Sequence, residues 1–118
     1  MAGAYLSIPR NRDYSFSSNV AARLADVGNN LTGATLYFVA KVDPDNNTDT
    51  AVVFNLTSAN GVSANTSSNI ITVSITANLV PSSYNVASWE ISCVTANAKF
   101  YTLDHGLLAI TQPVKLTQ

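Results

Sequence analysis

Ile70-Ile71-Thr72-Val73-Ser74-Ile75-Thr76 is the stretch whose reading decides the fold. Ile71, Val73 and Ile75 alternate with Thr72, Ser74 and Thr76. A period of two puts the branched apolar residues on one face of a β-strand and the hydroxyls on the other, so one face is buried and one is wet. Leu36, Phe38, Ala40 and Val42 make a second such stripe. The reverse of that strand carries Tyr37 and Val39, which suggests cover on both sides. Ala87, Trp89, Ile91 and Cys93, opposed by Ser88, Glu90 and Ser92, make a third. Shorter strand candidates are Tyr14 to Ser18, Ala51 to Thr57, Lys99 to Leu103 and Leu107 to Ile110.

Turn chemistry separates these runs. Gly28-Asn29-Asn30 precedes the Leu36 strand and Asp43-Pro44-Asp45-Asn46-Asn47 follows it. Asn60-Gly61 and Asn65 to Ser68 flank the approach to the Ile71 strand, and Pro81-Ser82-Ser83 precedes the Trp89 strand. Gly and Asn accept positive φ, and Pro sets φ at turn corners. Gly106 is expected to break the last run into a hairpin, with Asp104-His105-Gly106 at its tip. Even strand spacing with short turns predicts an all-β sandwich or small barrel of one domain over residues 1–118. At most one short helix is expected, over Asn19 to Val27.

Bulk properties exclude several function classes. A chain of 118 residues buries roughly two-thirds of its unfolded surface, enough for a core without metal or disulfide. Cys93 is the single cysteine, so no intrachain disulfide exists. Charged residues make up 11% of the chain, with six Lys and Arg against seven Asp and Glu. That leaves no basic stripe for nucleic acid. No apolar run approaches the ~20 residues that span a membrane. Met1 to Pro9 lacks the pattern of a signal peptide, so synthesis in a cytoplasm is expected.

The chemistry-bearing residues are few. Asp43, Asp45, Asn47 and Asp49 alternate in one loop, the spacing that opens a calcium loop. Thr48 stands at the sixth position where such a loop needs Gly, and Phe54 at the twelfth where it needs Glu. A solvated loop whose Asp and Asn side chains bond their own backbone is the plainer reading. His105 is the single histidine, beside Asp104, and no Gly-x-Ser-x-Gly elbow offers it a nucleophile. Cys93, between apolar neighbours, reads as buried and inert. Trp89 reads as core, while Tyr37, Tyr84 and Tyr101 suit either core or contact surface. No catalytic residue, cofactor or metal is expected.

The order of segments resembles a known family. Arg10-Asn11-Arg12-Asp13-Tyr14-Ser15-Phe16 comes first, then Asn30-Leu31-Thr32-Gly33-Ala34-Thr35-Leu36-Tyr37-Phe38, then Asn60-Gly61-Val62. Ile70 to Thr76 follows with Ala77-Asn78-Leu79-Val80-Pro81, then Tyr84, Tyr101-Thr102-Leu103 and Gly106-Leu107-Leu108-Ala109-Ile110. This resembles the immunoglobulin-like β-sandwich of tailed-phage structural proteins, as in the N-terminal domain of baseplate upper proteins and small tail-cluster proteins. Arg-Asn-Arg-Asp stands where that family has an Arg-Gly-Asp-like turn, and Pro81-Ser82-Ser83 replaces its usual Pro-Gly.

The resemblance implies an Ig-like antiparallel sandwich of about seven to eight strands and a non-enzymatic part of a bacteriophage virion. An accessory tail, baseplate or fibre-adaptor protein is the first expectation, and a capsid decoration protein the alternative. Its partners would be other virion proteins, met in multiple copies after assembly in the host cytoplasm. Met1 to Pro9 and Pro113 to Gln118 are the expected docking arms. A glycan- or cation-binding module, using the Asp43 to Asp49 loop, is the remaining reading.

Overall fold

A computed structural model describes residues 5–10, 12–27, 31–42, 52–80 and 86–111. Among these residues, eight strands run as β1 (Leu6–Pro9), β2 (Tyr14–Asn19), β3 (Thr35–Lys41), β4 (Val52–Thr57), β5 (Val62–Asn65), β6 (Ile70–Ile75), β7 (Val86–Val94) and β8 (Phe100–Thr111). One helix, α1 (Ala21–Val27), lies between β2 and β3. The strands form a five-stranded sheet, β1-β8-β7-β3-β4, and a three-stranded sheet, β2-β6-β5. This partition matches B, E and D against G, F, C and C′ of an immunoglobulin-type sandwich, with β1 added beside the last strand.

The period-two stripes are what close the sandwich. Ile71, Val73 and Ile75 of β6 face Leu36, Phe38 and Ala40 of β3 and Ala87, Trp89, Ile91 and Cys93 of β7 across one buried core. Phe16 from the small sheet wedges between two aromatics of the large one. Its ring lies 5.6 Å from Phe38 and 5.5 Å from Trp89, edge-on to both. Such tilted aromatic contacts each add about 1 kcal/mol beyond the area they bury.

The short helix forms where expected, because Val20 and Leu24 are buried and Asn19 Oδ1 accepts the Ala21 N–H at 3.0 Å. The Leu31-Thr32-Gly33-Ala34 segment is a turn: the Ala34 N–H donates to the Leu31 carbonyl while Gly33 takes φ +74°. Leu31 thereby plugs the core.

Three sequence expectations are corrected. Leu6–Pro9 is not a free docking arm, because β1 lies parallel on β8 with Leu6 opposite Leu108 and Ile8 opposite Ile110. Burying Leu6 and Ile8 is worth about 2 kcal/mol each, which an unanchored arm would forgo. The same pairing makes the sandwich mixed rather than wholly antiparallel. The other proposed arm, residues 113–118, lies outside the described residues, as do residues 1–4.

Nor does Gly106 break a hairpin: β8 runs unbroken for twelve residues, and Asp104-His105-Gly106 lies in mid-strand. The β7–β8 turn is at Thr95–Lys99, where the Thr95 N–H donates to the Lys99 carbonyl and the Lys99 N–H to Thr95 Oγ1. Gly106 stands opposite Trp89, whose Nε1–H reaches across to the Leu107 carbonyl at 3.1 Å.

Candidate interaction surface

The two outer faces of the sandwich differ in chemistry. On the small sheet, Ser15, Ser17 and Asn19 of β2 stand beside Ser74 and Thr72 of β6 and Ser63 of β5, with no charged residue among them. Ser17 and Thr72 are joined hydroxyl to hydroxyl at 3.0 Å.

The outer face of the five-stranded sheet mixes apolar and charged groups. Register places Val39, Glu90 and His105 in one row across β3, β7 and β8, and Lys41, Ser88 and Leu107 in the next. With Tyr37, Ser92 and Phe100 they line a shallow open depression of about 890 Å³. Phe100 is 63% exposed, Leu107 49% and Val86 54%, and Tyr5, just before β1, is 61% exposed. Burial of exposed aromatic and aliphatic side chains is the main driving force for association, so this face is the surface most costly to leave in water. Tyr37 and Val39 are half-buried here rather than sealed under another layer, which settles the double-sided reading of β3.

The other sequence candidates resolve as follows. The Asp43, Asp45, Asn47 and Asp49 loop lies outside the described residues, and so does Tyr84. Among the described residues, no three His, Cys, Asp or Glu side chains gather to hold a metal ion. Asp104 and His105 do not form an Asp–His couple. Successive strand residues point to opposite faces, so His105 lies on the outer face while Asp104 points inward, opposite Ile91. Its Oδ2 accepts from Ser18 and its Oδ1 from the His105 backbone N–H. The serine that the fold delivers therefore meets the carboxylate rather than the imidazole. Cys93 is buried, and loss of water pushes its thiol pKa up, only partly offset by a backbone hydrogen bond at Tyr101. A thiol so placed is a poor nucleophile. Trp89 is core, and Tyr101 packs against it from the rim.

Sequence reading missed the outer face because it cut β8 in two. Read as one strand, β8 places His105 and Leu107 on the side opposite Leu108 and Ile110. Alternation reaches His105 and Leu107, but Phe100 joins them on the outer face only because the register shift against β7 skips Leu103, which no sequence pattern marks.

No protein-family model matches the chain, and no curated protein matches it in sequence.

Proposed function

We propose that this domain is a non-enzymatic structural component of a bacteriophage virion, an accessory tail, baseplate or fibre-adaptor protein that works by protein–protein assembly. The observation that carries the assembly part is the outer face of the five-stranded sheet, where Phe100, Leu107 and Val86 are each about half exposed or more. A monomer gains nothing from such a surface, whereas a docked subunit buries it. The low charge fits the same role, since 11% charged residues leaves little electrostatic repulsion between neighbours. The phage assignment rests on the segment order given above. Two of its pieces are turns here: Leu31-Thr32-Gly33-Ala34 leads into β3, and Asn60-Gly61 lies between β4 and β5.

The test is immunogold electron microscopy of tailed-phage particles from the source culture, using antibody raised to the purified domain. Label at the tail or baseplate is the expected result. Label spread over the head would assign the domain to capsid decoration instead. Particles that carry none of it overturn the virion reading.

A further inference from the structure

Among the described residues the sandwich has four sheet edges: β1 and β4 on the large sheet, β2 and β5 on the small one. An edge strand turns the N–H and C=O of every second residue outward, ready to pair with another strand. Three of these edges are blunted. β1 is four residues long and ends at Pro9, which has no N–H to give. On β4, the Ser58 N–H donates inward to Leu36, so the N–H of Thr57 points out, and it is taken by Asn60 Oδ1 at 2.9 Å. A register shift between Ala40 and Lys41 also bends the far end of β4. β5 is four residues long, and pairing of Ser63 and Asn65 with β6 leaves two residues, Val62 and Ala64, turned outward.

Among the described residues, β2 has none of these guards. The Val20 N–H donates to the Asn69 carbonyl at 2.9 Å, which fixes the phase: Tyr14, Phe16 and Ser18 bond β6, and Ser15, Ser17 and Asn19 face out. The six pairs with β6 run without a register shift. Tyr14–Asn19 contains no proline and no charge.

We propose that two copies of this chain pair through β2, antiparallel about a two-fold axis at Ser17, to make one continuous six-stranded sheet. Ser17 then meets Ser17 of the second copy, and Ser15 meets Asn19 on either side. Each of these pairs exchanges two main-chain hydrogen bonds. The side chains brought together on the outer face are hydroxyls and an amide, so polar meets polar with no like charges opposed. Moving the axis to Ser15 would oppose Ser17 to Asp13, whose carboxylate already accepts the Ala77 N–H at 2.8 Å, so the Ser17 register is the self-complementary one. This pairing leaves the outer face of the five-stranded sheet open. It does not depend on the phage assignment, since it concerns the purified chain alone.

Sedimentation equilibrium on the purified chain tests it. Dimer is expected below about 1 mM. Ser17→Pro removes an outward N–H that bonds nothing within the sheet, and should weaken the dimer roughly ten-fold or more. Ser17→Lys, which places two like charges on the axis, should do the same should the proline disturb folding by circular dichroism. A wild-type chain that stays monomeric to about 1 mM overturns the proposal, as does a dimer that survives in a folded Ser17 variant.

Discussion

Ser18 and Asp104 hydrogen-bond from one sheet to the other, with Ser18 Oγ 2.5 Å from Asp104 Oδ2. The contact ties β2 to β8 across the sandwich and occupies a carboxylate that points inward from the large sheet. Removing one partner leaves the other poorly solvated. Asp104→Ala and Ser18→Ala should each lower stability by about 1–3 kcal/mol. The double variant should lose clearly less than the sum, because both act on one bond. Urea unfolding of the four proteins measures this, and strict additivity would show that the bond contributes nothing.

Gly61 takes φ +115°, and a Cβ there would lie 2.8 Å from the Ser74 carbonyl oxygen and 3.3 Å from Leu56 Cδ1. The close oxygen is backbone, held because Ser74 donates its own N–H to the Gly61 carbonyl at 2.7 Å. Gly61→Ala should therefore cost about 2 kcal/mol or more in strain and overlap. The unfolding midpoint should fall with the m-value unchanged.

Ala98 shows the converse. It sits at φ +64° in the β7–β8 turn, a conformation that costs an L-residue roughly 1 kcal/mol. Ala98→Gly should raise stability by about 0.5 kcal/mol once the extra freedom of the unfolded glycine is counted. A lower melting temperature would mean the turn does not hold that geometry in solution.

Cys93 gives the molecule an alkaline limit. Its folded thiol has its pKa raised by burial, so the unfolded chain loses that proton first as pH rises. The unfolded state then binds fewer protons, and stability declines with pH from about 8.5 upward, having been fully present below it. Tyr14, raised by the same cause, adds to the decline at higher pH. Cys93→Ala lowers stability at neutral pH by leaving a small void, yet should flatten the slope between pH 8 and 10. Urea titrations at those two pH values check the sign, and parallel slopes for both proteins would contradict it.

Leu107→Lys and Phe100→Ser should leave stability within about 0.5 kcal/mol of wild type, since both side chains are about half exposed or more. They should remove binding of the domain to particles in a co-sedimentation assay. Retained binding would move the assembly surface elsewhere on the molecule.

The sequence by itself determined the class of fold. Ile71, Val73 and Ile75, Leu36, Phe38 and Ala40, and Trp89, Ile91 and Cys93 all point inward as their alternation requires, because burying one face is the dominant gain open to a strand. It determined the inert setting of Cys93 and the Asn60-Gly61 turn for the same local reasons. What only the tertiary structure decided was which strands are neighbours and where Leu6–Pro9 goes. Leu6 and Ile8 carry too short a pattern to announce a strand, and they become one because β8 offers a parallel edge beside the core. Gly106 carries a turn residue's signal, yet it lies in mid-strand, paired with Trp89 seventeen positions earlier. The outer face of the large sheet and the open edge of β2 exist only after the sheets are ordered. Surfaces of that kind are made by residues brought together across strands, and no local pattern records the pairing.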